Sequence, residues 1–88
     1  MIRTENSNPI AAVRAAGQLG PALKALRQAR GWSQTELGRR VGLSQERIST
    51  IERQPERVTV GQLLTVLMAL EAQLRVEPRV PAPAAGPW

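Results

Sequence analysis

The side chains able to do chemistry in this sequence are amides, hydroxyls and guanidiniums, and they crowd into one stretch. Ser33, Gln34, Ser44, Gln45, Glu46, Ser49 and Thr50 fall there, interleaved with Arg39, Arg40, Arg47 and Arg53. Groups of this kind read base edges through paired donors and acceptors, and hold phosphate oxygens through charge-assisted hydrogen bonds. The residues that usually break covalent bonds are missing. The 88-residue sequence has no His and no Cys, and all 7 of its acids are Glu. Imidazole as general base, thiolate as nucleophile and the common zinc ligand sets drop out together. The glutamates show none of the paired spacing that a two-carboxylate mechanism needs. The expectation is a binding protein that is not an enzyme and carries no metal and no cofactor.

Charge points to the kind of partner. Lys and Arg total 12 against 7 acids, a net of +5. All the cations but Lys24 are Arg, whose planar fork fits phosphate and guanine better than a point charge does. A general bias toward Arg would explain the total equally well, so the distribution is the more informative. Residues 19–53 hold Lys24, Arg27, Arg30, Arg39, Arg40, Arg47 and Arg53 against Glu36, Glu46 and Glu52, which is 7 − 3 = +4. A basic excess confined to one short stretch suits a polyanion. No apolar run approaches the ~20 residues of a membrane span, and no signal-peptide core is present. Together with the absence of cysteine, this predicts a cytoplasmic protein.

Four helices can be read around these residues. Leu19, Ala22, Leu23 and Leu26 recur at helical spacing, with Pro21 in the first turn and Gly31 as the stop. Ser33-Gln-Thr-Glu36 has the form of a reciprocal capping box and opens a second helix, with Leu37 and Val41 inward. Gly38 in mid-helix costs roughly 1 kcal/mol against Ala, which implies a close helix crossing there. Gly42 ends that helix, Ser44 caps a third with Ile48 and Ile51 inward, and Pro55 ends the third. Thr59 caps a fourth helix through Leu70. Its Leu63, Leu64, Val66, Leu67, Met68 and Leu70 are too many for one buried stripe, so half of it should meet a second subunit. Residues 73–77 alternate apolar and polar as a strand does. A lone strand needs a partner, and a second copy of the chain supplies one.

Two short helices joined at Gly42-Leu43-Ser44 make a helix-turn-helix, in which the second helix enters the major groove. The longer segment GWSQTELGRRVGLSQERISTIER closely resembles the Cro/C1-type (XRE) helix-turn-helix family. Its G-x-S-Q-x-x-L opening and I-S-x-I-E close both appear, and the likeness covers about residues 18–71. The resemblance implies an all-α bundle of four to five helices. It implies base contacts from Ser44, Gln45, Glu46, Ser49 and Thr50, and phosphate contacts from Ser33, Gln34, Arg53 and Arg57. Arg40 and Arg47 join the phosphate set on charge alone. It further implies a partly buried structural pair between Arg27 and Glu52. Gly38 departs from the family, where alanine is usual.

Within that family the chain is similar to HipB-type antitoxins. The shared points are GW opening the second helix, an apolar fourth helix, a short strand and a tail ending in Trp88. This likeness implies a homodimer with paired C-terminal strands, a palindromic double-stranded operator, a HipA-like serine/threonine kinase toxin as partner, and repression of the pair's own operon. The expected organisation is an N-terminal arm over 1–17 (frayed or a short helix), the DNA-binding domain over 18–71, a dimerisation strand over 72–77 and a disordered Pro/Ala-rich tail over 78–88. Leu63, Leu67, Leu70, Leu74 and Val76 are expected at the dimer interface, and Trp88 in a pocket of the toxin. The alternative is a stand-alone phage-type repressor with the same DNA chemistry and no toxin.

Overall fold

In the computed structural model, residues 12–79 are described. The arm before residue 12 and the tail from residue 80, including Trp88, lie outside them. Four α-helices and one 3-10 turn follow in order: α1 (Ala16–Ala29), α2 (Gln34–Val41), α3 (Gln45–Arg53), the turn (Pro55–Arg57) and α4 (Val60–Ala69).

Each helix start after the first has the cap expected of it. The Ser33 hydroxyl accepts from the Glu36 amide, the Ser44 hydroxyl from the Arg47 amide and the Thr59 hydroxyl from the Gln62 amide, each at 3.0 Å. Each cap satisfies one of the amides left unbonded at a helix N-terminus and is worth about 1 kcal/mol. α1 departs from expectation by starting at Ala16 and running through Gly17. Its start is held by the Gln18 side chain, which accepts from the Ala15 amide at 3.1 Å. Pro21 therefore falls in the second turn, opposite the carbonyl of Gly17. Gly17 is exposed, so its carbonyl is open to solvent and the missing N–H leaves no buried acceptor unsatisfied.

The four helices enclose one core. Leu23, Leu37, Ile48, Ile51, Val66, Leu67 and Leu70 are buried, and Leu19, Leu26, Trp32, Val41, Leu43 and Leu63 pack around them. Burying each large aliphatic side chain contributes roughly 1.5–3 kcal/mol before the entropy of ordering is subtracted. Proline after α3 does more than stop it: Pro55 is buried and begins the 3-10 turn that leads into α4.

Two contacts set how the helices meet. Gly42 takes the left-handed conformation (φ 75°), which costs a glycine nothing, and the Leu43 amide then returns to the Gly38 carbonyl at 2.8 Å. A Cβ on Gly38 would lie 2.4 Å from the Leu43 carbonyl oxygen, so the close approach there is to the turn rather than to another helix. Gly20 makes the closer approach. A Cβ on it would lie 2.0 Å from the carbonyl oxygen of Glu52, because α1 crosses α3 at that point.

The expected C-terminal strand is not formed within the chain. Residues 73–79 take no regular structure, and among the described residues no backbone hydrogen bond pairs them with another segment. The physical reason is the one that called for a second copy: a strand is defined by its ladder, and among the described residues no other extended segment lies beside this one.

Gly20→Ala should therefore destabilise the domain by about 2 kcal/mol or more, since the helices must separate to admit the methyl group. Gly17→Ala, with nothing within 4 Å of the added carbon, should instead stabilise it by up to about 1 kcal/mol. Urea unfolding of the two variants reads both, and equal effects would contradict the crossing geometry.

Candidate nucleic-acid interface

The turn between α2 and α3 lifts the first residues of α3 to the surface. Ser44, Gln45 and Glu46 are exposed there, and Ser49 and Thr50 are half-buried one turn later. This is a polar helix end free of bulky apolar side chains, with donors and acceptors of the kind that meet base edges. Ser44 also has a structural task, since its oxygen caps α3. Its proton remains available to an outside acceptor.

A line of hydrogen bonds holds this end from behind. The Gln45 amide nitrogen donates to Gln34 Oε1 at 2.6 Å, and the Gln34 amide nitrogen donates to Glu52 Oε1 at 3.1 Å. Glu52 in turn accepts from Arg27 through Nε at 2.6 Å and a terminal nitrogen at 3.1 Å. The remaining terminal nitrogen of Arg27 donates to the Trp32 carbonyl at 2.7 Å. Arg27 is 7% exposed and Glu52 9%, so the expected Arg27–Glu52 pair is present and buried. Every guanidinium nitrogen of Arg27 and both carboxylate oxygens of Glu52 take part in a hydrogen bond, which offsets part of the cost of burying the ion pair. Gln34, expected on a phosphate, is thereby also the link between the recognition helix and the core.

The guanidiniums divide between surface and interior work. Arg53 is exposed and shares its Nε with the Ser49 hydroxyl at 3.3 Å. Arg57 is exposed on the 3-10 turn. Arg39 and Arg40 both bond the carboxylate of Glu36, at 2.7 and 2.8 Å. The returning arm of the capping box is thus absent: Glu36 faces these arginines instead of the Ser33 amide. The Arg39 hydrogen bond, with the charges of Arg39 and Arg40, holds the Glu36 carboxyl below the usual carboxylate range. A depressed carboxylate stabilises the fold above its unfolded pKa, and that share is lost as pH falls through the folded value. Arg40 also lies over the Trp32 ring, 4.0 Å from its centroid, with Arg30 at 5.3 Å. Trp32 packs against the core. Arg40 and Arg47, placed on phosphates by charge alone, both make contacts within the chain, exposed Arg40 with Glu36 and Trp32, and half-buried Arg47 with Gln62 of α4 at 2.8 Å.

The apolar surface differs from the expected dimer set. Leu67 and Leu70 are 7% and 2% exposed and belong to the chain's own core, and Leu63 packs against it. The outward stripe of α4 is Val60, Leu64 and Met68, at successive spacings of four, accompanied by exposed Leu74 and Val76. A helix start shifted against the sequence reading does not cause this. Core and surface stripes alternate on an almost wholly apolar helix, and nothing in its sequence says which is which.

Gly20, Gln62 and Arg30 escaped the sequence reading. Arg30 donates to the Leu70 carbonyl at 3.1 Å and to Glu71 at 2.7 Å, closing the end of α4. None of the three carries a local signal, because each acts on a residue distant in sequence. Among the described residues no group of three or more His, Cys, Asp or Glu is placed to hold a metal, and no helix is long and apolar enough to cross a membrane.

Comparison with known proteins bears on this surface. Residues 18–76 match the family described as helix-turn-helix domain. Antitoxin HipB of Escherichia coli K12 is 37% identical over 57 residues, covering 65% of this chain and 65% of its own length. Antitoxin HipB of a second Escherichia coli strain is 35% identical over 57 residues, covering 65% of this chain and 61% of its own. The chain thus spans slightly under two thirds of the length of these curated relatives. Among solved structures, a HipB chain in a HipB-O1-O2 complex superposes with a TM-score of 0.72 at 30% identity, over 78% of this chain and 100% of that one. A chain of a HipA-HipB-O2-O3 complex gives the same score and identity over 78% of this chain and 97% of that one.

Breaking the buried pair from one side should be costly. Glu52→Leu leaves Arg27 charged and unpaired and should destabilise the domain by about 3–5 kcal/mol. Arg27→Met combined with Glu52→Leu should recover part of that loss. Urea titration of the two variants checks the order, and a double variant less stable than the single one would contradict the assignment.

Proposed function

The chain belongs to the helix-turn-helix domain family, and on that premise we propose that it is a HipB-type antitoxin and the sequence-specific repressor of its own operon. The observation that carries the DNA half is the exposed polar start of α3, held to the buried Arg27–Glu52 pair through Gln34 and Gln45. A recognition element must keep its donors fixed before DNA arrives, and this line of bonds fixes them. Gln45, Glu46, Ser44, Ser49 and Thr50 read base edges. Ser33, Gln34, Arg53 and Arg57 hold phosphates on either side. The role is one of binding, not catalysis, and the proposed location is the cytoplasm.

The likeness to HipB chains, at 30% identity and a TM-score of 0.72, supports the antitoxin half. The partner is a HipA-like protein, expected from the family resemblance to be a serine/threonine kinase toxin. The working form is a homodimer. Val60, Leu64 and Met68 face outward on one stripe of α4, and Leu74 and Val76 extend it. Covering these side chains with a second copy removes them from water and gives residues 73–77 a strand partner, which they do not have among the described residues. Two-fold symmetry then presents two α3 helices to successive major grooves of a palindrome, with half-sites roughly 10 bp apart.

Gln45→Ala should cost about 1–3 kcal/mol per half-site and flatten sequence preference. Neutralising about six phosphates per dimer should give a slope near −5 for log affinity against log salt concentration. Fluorescence anisotropy over a salt series measures both. A salt-insensitive affinity, or a Gln45→Ala variant that binds as the parent does, refutes the DNA half.

Trp88 is proposed as the anchor of the tail in a pocket of the kinase. A buried indole supplies roughly 2–3 kcal/mol, and tethering to a second contact multiplies its effect. Trp88→Ala should weaken kinase binding in a pull-down with the neighbouring gene's product and leave operator affinity unchanged. The opposite pattern would favour a stand-alone repressor.

A further inference from the structure

Arg47 sits in the third position of the recognition helix, where its charge invites a phosphate. The structure directs it elsewhere. Its Nε donates to Oε1 of Gln62 at 2.8 Å, and the contact is half-buried. Gln62 belongs to the first turn of α4, the helix whose outward stripe is Val60, Leu64 and Met68. α3 packs chiefly against α2, α1 and the 3-10 turn, not along α4. Arg47–Gln62 is the one side-chain hydrogen bond that joins these two helices, both of which are fully described. The two helices share the core and both pack against α2, and along the chain they are joined by a 3-10 turn and a short extended link, so the direct polar tie between them is this bond.

From this juxtaposition we infer that Arg47 is a positioning residue: through Gln62 it locks the recognition helix to the dimerisation helix, and so sets the half-site spacing that the dimer accepts. The inference rests on the DNA-binding and dimer readings above. In a two-fold dimer the distance between recognition helices is fixed by each α3 relative to its own α4, and by α4 against its partner. A small rotation at the first joint is repeated in both subunits, and the two rotations act in opposite directions along the DNA axis. A duplex one base pair longer or shorter displaces a half-site by about 3.4 Å and turns it by about 34°, given ~10.5 bp per turn. One directional hydrogen bond from a planar guanidinium, half-shielded from water, resists a turn of that kind.

The test uses the full chain and duplexes that the wild-type protein selects from a random pool, with versions whose central spacer is one base pair longer or shorter. Gln62→Ala, Arg47→Met and the double variant are compared by anisotropy, at temperatures where circular dichroism shows each folded. Arg47→Met keeps the apolar stem and its packing. Each single variant is expected to weaken binding to the best duplex about five-fold, and to shrink the preference for its spacer over the altered ones. The double variant should be no weaker than either single one, because both remove the same bond. The salt slope should stay at the wild-type value, and Gln62→Glu, which keeps an acceptor, should keep the wild-type spacer preference. A phosphate role for Arg47 gives a different result: Arg47→Met makes the slope shallower by about two per dimer, while Gln62→Ala binds as wild type. That pattern overturns the inference, as does an unchanged spacer preference in all variants. If the wild-type protein enriches no sequence at all, the DNA-binding reading fails instead.

Discussion

Much of this small domain hangs on the buried ion pair between Arg27 and Glu52. It joins α1 to the end of α3, bonds the Trp32 carbonyl that leads into α2, and offers Gln34 the acceptor that carries order outward to Gln45. Burying two charges is costly in an apolar interior, and an uncharged pair of similar volume would often be as stable. What the charged pair adds is direction. A carboxylate with two oxygens and a guanidinium with a fixed fork define angles that leucines cannot. Gly20 makes the pair possible, since only a residue without a Cβ lets α1 come so near the Glu52 carbonyl. Backbone crossing, ion pair and recognition surface are three parts of one arrangement.

The second constraint is α4, a helix with two apolar stripes and only one core to serve. Val66 and Leu67 fill the interior, with Leu70 just beyond them at the helix end, while Val60, Leu64 and Met68 remain outside. A domain this small gains little from enlarging its own core, and without disulfides it lacks the usual staple. An outward apolar stripe on the helix nearest the C-terminal segment is therefore consistent with stability drawn from association. The same helix receives Arg47 through Gln62, so the outward apolar stripe of α4 and the exposed polar start of α3 are mechanically close.

Local rules made much of this legible in the sequence. Ser33, Ser44 and Thr59 cap their helices, Gly42 turns left-handed, and Leu37, Ile48 and Ile51 point inward, because each depends on neighbours within a few residues. The Arg27–Glu52 pair was legible only through family likeness, being a contact across 25 positions. Charge alone did not reveal the contacts these side chains make within the chain. Arg40 and Arg47 were placed on phosphates, and the structure adds that Arg40 is shared between Glu36 and the Trp32 ring and that Arg47 bonds Gln62. A guanidinium has five donors and a long stem, so its net charge says little about where it points. Leu67 and Leu70, expected at a dimer interface, lie in the chain's own core for another reason: on a helix apolar on nearly every side, periodicity identifies no unique inward face.

The end of α4 shows how the fold prepares its C-terminal segment without itself forming a strand. Glu71 stands in the left-handed region (φ 54°), which a side chain disfavours, and the Ala72 amide then returns to the Leu67 carbonyl at 2.8 Å. Glycine is the usual residue at such a cap. Here the conformation is held partly from outside, by Arg30 bonding both the Leu70 carbonyl and the Glu71 carboxylate. The Glu71 end of that contact is 76% exposed in its side chain, so its charge contributes little. Its geometric effect is larger, because the turn decides the direction in which residue 73 and those after it leave the body. Their side chains are exposed in the single chain, and in the proposed dimer pairing with a second copy would exchange hydrogen bonds to water for hydrogen bonds to backbone at small net gain. The drive would then come from Leu74 and Val76, 55% and 93% exposed, closing over the α4 stripe. In that dimer, pairing of the segments and burial of α4 would be one cooperative event, since each satisfies groups the other leaves exposed.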